Sequence, residues 1–489
     1  MYFKSLFNSI RQLAFFDTFK HASTYFSGTM LIHGLGVVTL PVFTAYFTDA
    51  EYGIVNVFNS LITILAVFMT FNVHLSTERY YHEKTDDYGQ FLGSIFLFTN
   101  LLAFVIGGIG LYYTNGIAKI LGLPPPLVKW LFLASYCAAI IYAFFNNVMV
   151  ATKQSKRYTT FQVVWHYCKF GVTVVLLVYM TNYAYQNVYM GKIIGEGVVG
   201  ALVTIYAIVI GYKYMRFDGL SWKHIRYGLV FALPLIPFSL SNNLLTFFDQ
   251  WFINITLGNS DAGLYSFAYK IGMIYMGLGV ALTNGASPAY YEFMNNKEYD
   301  KVGQQVDSMS KLLVLGGGFL ILFAVDVGTV LSSKDVFRNA LPIAPVIVGA
   351  YLFSSLAIFY NRGILYLKKN VYLSSIIMAS VGVNIVLNLW LVESYGYQIA
   401  AYTTLASYII MLLLSILTTT YILKLPPLPL GRILKYIVFL GIVVLLNYTV
   451  GRPNVGFHFG WMLFKTVLFL SLAGALFYNK IGLVFNENK

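Results

Sequence analysis

The sequence predicts an all-α polytopic membrane protein with about 14 transmembrane helices, arranged as two six-helix lobes plus two C-terminal helices. Of its 489 residues, 58% are hydrophobic and only 10% are charged, and the mean hydropathy is +0.70. A soluble domain carries about 25% charged residues. The apolar runs are each about 20 residues or longer, which is the length that a helix needs to cross a bilayer. Landmarks of the first half of the chain also recur in the second half.

The predicted spans follow the apolar runs in chain order, and glycine and proline inside them are tolerated in membrane helices. They cover residues 24–47, 54–73, 90–113, 127–150, 159–181, 187–211, 229–257, 262–289, 308–331, 342–366, 371–392, 396–423, 433–450 and 459–481. Pro234 and Pro237 remove backbone donors and predict a bend in the seventh span.

Lysine and arginine are unevenly distributed between the segments that join the spans. With the N-terminus in the cytoplasm, the inner segments hold most of them, including Lys153, Lys156 and Arg157, and the outer segments hold few. Because cytoplasmic loops are enriched in Lys and Arg, this distribution predicts that both termini are cytoplasmic. The formal net charge of +13 then reflects topology, and no nucleic-acid partner is expected.

The N-terminal residues 1–20 predict an amphipathic helix lying on the membrane surface. Phe3, Leu6 and Ile10 recur at helical spacing, and Arg11 lies on the opposite face. No cleavage site of small residues follows, so these residues are not expected to be a cleaved signal.

The spans after this helix form a repeat. Gly53 and Tyr80 bracket a span in the first half, and Gly263 and Tyr290 bracket a span of equal length 210 residues later. An offset of six spans keeps both units in one orientation, related by a pseudo-two-fold axis along the membrane normal. The predicted domains are the surface helix 1–20, an N-terminal lobe 21–215, a C-terminal lobe 216–425 and two additional helices 426–489.

Two apolar stretches, 229–257 and 262–289, are joined by a four-residue turn, and each contains a charge. Asp249 and Lys270 both lie roughly 12–14 Å from this turn at 1.5 Å per residue. A charge at that depth is costly unless it faces protein or water, so both are candidate functional residues. A permanent structural ion pair between them is the alternative.

Other charged or titratable residues fall within the predicted spans. Lys169 and Glu196 are both near the midplane, either as an ion pair or as residues lining a cavity. Arg362 is near the cytoplasmic surface, where its side chain can reach the interface by snorkelling or line an inner mouth. His33 is either a proton-carrying group or a buried, hydrogen-bonded histidine. Lys465, in a span without a repeat partner, is expected to be peripheral.

Enzyme chemistry finds little support in the sequence. Cys137 and Cys168 fall inside spans without metal-ligand spacing, so no metal or cofactor is expected. A membrane polysaccharide polymerase or glycosyltransferase is the alternative from another class, but such enzymes need a sizeable extramembrane segment. The longest inner connection, 290–307, carries acidic residues without a paired-carboxylate or metal pattern. We therefore expect a transporter rather than an enzyme.

Residues 245–250 (LTFFDQ) and 264–270 (LYSFAYK) resemble the seventh and eighth helices of bacterial polysaccharide, or O-antigen, flippases. The turn at residues 49–53 (DAEYG) is similar to that family's first extracellular turn. The resemblance extends over the whole chain in length, span count and repeat. These motifs mark a broader superfamily, the multidrug/oligosaccharidyl-lipid/polysaccharide exporters, so a drug/cation antiporter remains an alternative.

The resemblance implies a transporter that moves an undecaprenyl-diphosphate-linked oligosaccharide from the cytoplasmic to the outer leaflet of the bacterial inner membrane. An O-antigen or capsule/exopolysaccharide repeat unit would be the cargo, handled by alternating access. Membrane lipids, H⁺ or Na⁺ as coupling ion, and the polysaccharide polymerase and assembly machinery are the other candidate partners. The candidate cargo-binding residues are Lys270, Lys169 and Arg362, and the candidate ion-pair or coupling residues are Asp249, Glu196 and His33.

Overall fold

The computed structural model describes residues 14–83, 86–152, 154–426, 428, 430–450 and 459–486, and every regular element in these ranges is a helix. The all-α architecture predicted from the sequence is thereby confirmed. The predicted surface helix at residues 1–20 falls mainly on residues 1–13, which lie outside the described ranges. The chain packs as two compact units, Met1–Ser266 and Phe267–Lys489.

The first unit contains α1 to α11 and the start of α12. Short 3₁₀ turns lie at Val73–Leu75 and Leu233–Leu235, and a π-helical turn lies at Ile141–Asn146. The helices are α1 Ala14–Tyr46, α2 Asp49–Thr70, α3 Ser76–Glu83, α4 Tyr88–Tyr112, α5 Thr114–Leu121, α6 Pro125–Ile140, α7 Asn147–Ala151, α8 Ser155–Asn182, α9 Tyr189–Tyr212, α10 Trp222–Ala232, α11 Ile236–Thr256 and α12 Asn259–Asn295.

The second unit contains the rest of α12 and the helices that follow. A 3₁₀ segment at Asp335–Ile343 precedes α14, and a π-helical turn at Thr418–Ile422 extends α16. The helices are α13 Tyr299–Leu331, α14 Ala344–Tyr366, α15 Asn370–Tyr395, α16 Gln398–Leu417, α17 Leu430–Val450 and α18 Phe459–Asn486.

Within the described ranges, 11 segments are long and apolar enough to cross a membrane, which confirms a multi-pass architecture. The pair α5 and α6, at the predicted fourth span, bends by 91° at the break between its helices. The apolar parts of α17 and α18, Leu434–Asn447 and Gly460–Gly474, are shorter. The total of fourteen spans, the repeat and the domain boundaries stay predictions.

Helix α2 begins at Asp49 because the residue before it caps the helix. The Thr48 hydroxyl accepts a hydrogen bond from the Glu51 amide at 3.2 Å, and the Glu51 carboxylate accepts one from the Thr48 amide at 3.0 Å. This capping box satisfies two backbone donors that the first turn leaves free. It therefore fixes where the first turn of α2 lies.

The first turn of α2 packs against the first turn of α12 through two glycines. A Cβ on Gly53 would overlap the carbonyl oxygen of Asn259, and a Cβ on Gly263 would overlap that of Asp49. The two contacts are equivalent, since each residue of the first is 210 positions from its counterpart in the second. This reciprocal form is what a two-fold repeat predicts.

In the second unit, a buried acid near the start of α13 holds α17. Asp307 Oδ2 lies 3.1 Å from Arg432 Nη1 and 2.9 Å from Lys311 Nζ, and Asp307 Oδ1 accepts a hydrogen bond from the Tyr436 hydroxyl. Two cations and one phenol therefore compensate this carboxylate. The group ties the start of α17 to α13.

A second buried acid, near the end of α13, holds α18. Asp326 Oδ2 lies 2.8 Å from Lys465 Nζ, and the Lys465 side chain is completely buried. The Lys465 ammonium also lies 3.4 Å from the carbonyl oxygen of Leu322. The peripheral position expected for Lys465 is therefore wrong, because its buried ammonium pairs with Asp326 on α13.

Polar side chains join α15 to α16 in the second unit. The Thr403 hydroxyl donates to Asn388 Oδ1 at 2.7 Å, and Asn388 Nδ2 donates to Asn384 Oδ1 at 3.3 Å. All three residues are buried. Hydrogen bonds of this kind contribute to helix association where the lipid supplies no hydrophobic driving force.

Candidate functional site

Three charged side chains come together where α8 and α9 pack in the first unit. The Lys192 ammonium lies 2.5 Å from Oε1 of Glu196, one turn later on α9. Lys169, on α8, approaches the same oxygen at 3.5 Å. Of the two alternatives open for Lys169 and Glu196, the structure therefore shows the ion pair. It also adds a second cation.

The three side chains differ in exposure. The Lys192 side chain is 6% exposed, that of Glu196 is 18% exposed and that of Lys169 is 31% exposed. Lys192 also lies 5.2 Å from the centre of the Phe43 ring, contributed by α1. Glu196 is nearer to the more deeply buried Lys192 and neutralises it. The surplus positive charge of the cluster therefore rests on Lys169, its most accessible member.

Hydrogen bonds fix the face of α8 near Lys169. His166 Nδ1, one turn earlier, lies 2.7 Å from the carbonyl oxygen of Gln162. The Gln162 amide donates to Asn146 Oδ1 at 2.6 Å. Asn146 closes the π-helical turn that follows α6, so the Gln162–Asn146 bond ties α8 to that turn. The rotation of α8, and with it the direction of Lys169, is held by this network.

Lys192 is the member of this cluster that the sequence did not single out. The useful signal was its spacing from Glu196, since residues four apart on a helix face each other. A Lys that also lies four residues before a buried Glu is expected to pair with it before any residue of another helix does.

Asp249 is buried on α11 and accepts a hydrogen bond from the Tyr265 hydroxyl at 2.7 Å. The next residue, Gln250, is also buried and accepts a hydrogen bond from Ser60 of α2 at 3.1 Å. Asp249 therefore has a neutral partner on α12 that the sequence did not predict. Lys270 lies half-buried on α12 in the second unit. An ion pair between Asp249 and Lys270 stays a prediction.

Arg362, on α14, is buried, with 4% of its surface exposed. Its guanidinium carbon lies 5.9 Å from the centre of the Phe359 ring. Snorkelling to the membrane surface implies exposure, so that explanation is wrong. Among the residues that the structure describes, no carboxylate lies within ion-pairing distance of Arg362. A buried guanidinium without an acidic partner is a candidate for binding an anion.

His33 lies exposed on α1. The alternative of a buried, hydrogen-bonded histidine is therefore wrong, and its predicted proton-coupling role stays a prediction. In the described part of the chain, no three His, Cys, Asp or Glu side chains come close enough to hold a metal ion. The cluster on α8 and α9 consists of two amines around one carboxylate.

A family model described as "Polysaccharide biosynthesis protein" matches residues 19–290, more than half of the chain. The chain belongs to this family. The resemblance inferred from the 245–250 and 264–270 tracts is thereby confirmed at the level of the family. A comparison with curated proteins finds no match.

Solved structures share the fold of this polysaccharide biosynthesis family member. The lipid II flippase MurJ, in an inward closed conformation, matches with a TM-score of 0.72 at 15% identity, over 94% of this chain and 99% of that one. An inward-facing multidrug resistance MATE transporter of the MOP superfamily matches with a TM-score of 0.58 at 13% identity, over 86% of this chain and 98% of that one. A MOP superfamily transporter from Pyrococcus furiosus matches with a TM-score of 0.55 at 12% identity, over 87% of this chain and 96% of that one.

Proposed function

We propose that this protein is a transporter that moves a lipid-linked oligosaccharide across the membrane by alternating access. The cargo is an undecaprenyl-diphosphate-linked O-antigen or capsule/exopolysaccharide repeat unit, carried from the cytoplasmic to the outer leaflet of the bacterial inner membrane. Membership of a polysaccharide biosynthesis family supports the class of cargo. The fold shared with transporters of the MOP superfamily supports transport, and the short connections argue against an enzyme.

The observation that carries this proposal is the surplus positive charge of the Lys169–Glu196–Lys192 cluster. A diphosphate brings negative charge into the membrane, where an unpaired charge is costly. A partly desolvated ammonium is a natural counter-ion because charge-assisted hydrogen bonds are shorter and stronger than neutral ones. Lys169 offers such an ammonium without leaving Glu196 unpaired, since Lys192 continues to neutralise it.

Arg362 and Lys270 are the further cargo-binding residues of the proposal. Arg362 supports it by being buried without an acidic partner in the described ranges, so that an anionic group would complete its coordination. Asp249, Glu196 and His33 are proposed to respond to H⁺ or Na⁺ during the cycle. Protonation or ion binding at a carboxylate changes which cation it holds, and so changes how firmly the cargo is bound.

A drug/cation antiporter is the second candidate, because multidrug transporters share the fold. A cation carrier needs surplus negative charge where its substrate binds. The cluster on α8 and α9 has two lysines and one glutamate, so its charge favours an anionic cargo.

The deciding experiment is translocation of a defined undecaprenyl-diphosphate-linked oligosaccharide in proteoliposomes. Lys169→Gln removes the surplus charge, and we expect the initial rate to fall by about tenfold or more, equivalent to about 1.4 kcal/mol in the transport barrier. Lys169→Arg keeps the charge and is expected to retain part of the rate, although the two side chains are not interchangeable.

Lys223→Gln is the matched control, since it removes one exposed lysine from α10 outside the cluster. It is expected to transport at the wild-type rate. Wild-type transport by a folded Lys169→Gln protein would overturn the role of Lys169. Export of a cationic drug, with no translocation of the lipid-linked oligosaccharide, would overturn the proposed function itself.

A further inference from the structure

A groove runs along the first unit between α8 and α9. Its volume is about 590 Å³. One wall is formed by residues spaced three or four apart on one face of α8, which include Arg157, Phe161 and Cys168. The other wall is formed by Val203 and Tyr206 of α9. The groove therefore follows the helix axes.

One end of the groove is positively charged. Lys156 and Arg157 lie in the first turn of α8, and both are exposed. In the described ranges neither side chain pairs with a carboxylate, and Arg157 reaches only the amide oxygen of Gln154, at 3.4 Å. Cations in the first turn oppose the helix dipole, so they do not stabilise α8. An anion at this end would meet two cations and a helix N-terminus.

The rest of the groove is apolar and aromatic. Phe161 stacks on Phe145 and on Tyr206, with ring centroids 3.7 Å and 5.8 Å away, and the latter two rings are 6.4 Å apart. Val164 and Tyr206 expose about half of their surface, 53% and 49%. Phe145 comes from the π-helical turn, an irregularity that is common at functional sites. These side chains form a concave surface suited to a hydrocarbon chain.

The length of the groove corresponds to one leaflet. Arg157 and Cys168 are roughly 16 Å apart along α8 at 1.5 Å per residue. The hydrocarbon core of a bilayer is about 30 Å thick, so the groove reaches about halfway across it. The predicted topology places the charged end at the cytoplasmic surface and the other end near the midplane.

We propose that this groove binds one anionic phospholipid of the cytoplasmic leaflet. Its phosphate lies between Lys156 and Arg157, and one acyl chain lies along Phe161 towards Cys168. An acyl chain fits a groove that ends after one leaflet, whereas an undecaprenyl chain is much longer. Lys169 does not line the groove, so this lipid site is distinct from the proposed cargo site and does not depend on it.

The first test measures lipid binding to the purified full-length protein by native mass spectrometry. Phosphatidylglycerol and phosphatidylethanolamine serve as the anionic and the neutral probe. Because each basic residue near an anionic lipid surface adds to the attraction, Lys156→Gln/Arg157→Gln is expected to weaken phosphatidylglycerol binding by about tenfold or more. Lys223→Gln/Arg226→Gln removes two exposed cations from α10 and is the control, with wild-type binding expected.

The second test places the acyl chain. Cys168 is exposed at the midplane end of the groove, and Cys137 is buried. Mass spectrometry of the intact protein therefore measures alkylation of Cys168 by a membrane-permeant maleimide. Phosphatidylglycerol is expected to slow this alkylation several-fold, and phosphatidylethanolamine is expected to have little effect. Lys156→Gln/Arg157→Gln is expected to abolish the protection, with the unfolding temperature unchanged.

Two results would overturn the proposal. One is equal binding of both lipids to the wild-type protein, which would indicate an unspecific lipid surface. The other is phosphatidylglycerol binding that survives Lys156→Gln/Arg157→Gln, or that leaves Cys168 unprotected. Should the double variant fail to fold, Val164→Trp fills the groove without changing charge and is expected to abolish the same protection.

Discussion

At the scale of single residues, the cluster on α8 and α9 separates a cation that holds the structure from one that is available to a ligand. Lys192 is almost completely buried and lies close to Glu196, whereas Lys169 is more exposed and farther from the same oxygen. Breaking a buried ion pair costs far more than loosening a partly exposed one. The two lysines therefore predict different phenotypes.

Glu196→Gln is expected to destabilise the protein strongly, because it leaves Lys192 buried without an anion. Loss of one partner of a buried pair costs about 3–5 kcal/mol, and thermal unfolding in detergent measures it. The double variant Lys192→Met/Glu196→Gln removes both charges and is expected to recover most of the loss. Equal unfolding temperatures of Glu196→Gln and Lys169→Gln would contradict this division of roles.

Several residue properties followed from depth in the membrane, and others did not. The depths of Lys169 and Glu196 were enough to predict that they could meet. The burial of Arg362 and the exposure of His33 were not predictable, because depth does not say which face of a helix a side chain occupies. The hydrogen bond from Tyr265 to Asp249 depends on how α11 and α12 pack, which no spacing within either helix reveals.

At the scale of elements, α13 is the helix to which the C-terminal pair attaches. Asp307 binds α17, and Asp326 binds α18. Both carboxylates are buried and compensated by cations from the helices that they hold. The last two helices are therefore fixed by charge as well as by apolar packing.

Lys465→Met is expected to destabilise the protein by about 3 kcal/mol or more, because it leaves Asp326 buried without its partner. Asp326→Leu/Lys465→Met replaces both charges with apolar groups and is expected to be close to wild type. Unfolding temperatures of Lys465→Met, Asp326→Leu and the double variant give the coupling energy between the two residues. Additive effects would show that the ion pair does not hold α18.

Element boundaries were predictable where local chemistry sets them. Thr48 and Glu51 form a capping box that is legible in the sequence. Pro234 lies in the 3₁₀ turn that separates α10 from α11, and the bend expected at this proline stays a prediction. The 91° bend between α5 and α6 was not predicted. The break lies between Leu121 and Pro125, ahead of the predicted fourth span at 127–150, and hydropathy does not record the direction of a helix.

At the scale of the whole molecule, the contact between α2 and α12 has the reciprocal form that the predicted repeat requires. Gly53 and Gly263 occupy equivalent positions in the two halves of the sequence, and each faces a backbone carbonyl of the other segment. Hydropathy alone predicted fourteen spans but not this contact. The equal spacing from each glycine to Tyr80 and Tyr290 is what identified the two residues as equivalent.

Gly53→Ala and Gly263→Ala are each expected to destabilise the first unit by about 1–3 kcal/mol, because the added methyl group overlaps a carbonyl oxygen. The equivalence of the contacts predicts similar losses, measured as unfolding temperatures in detergent. Gly34→Ala is the control, since among the described residues no side chain or neighbouring segment comes within 4 Å of its added Cβ. Alanine is the better helix former, so this control is expected to be neutral or stabilising. Loss at only one of the two glycines would argue against equivalence.

The two acids of α13 also make this helix intolerant of changes in length. Asp307 and Asp326 are roughly 28 Å apart along α13 at 1.5 Å per residue, about the thickness of the hydrocarbon core. Deleting a single residue between them would turn one carboxylate by about 100° relative to the other. Either α17 or α18 would then lose the carboxylate that pairs with its cation, even if every remaining side chain were unchanged. Insertions and deletions in this segment are therefore expected to be tolerated only in multiples close to whole helical turns.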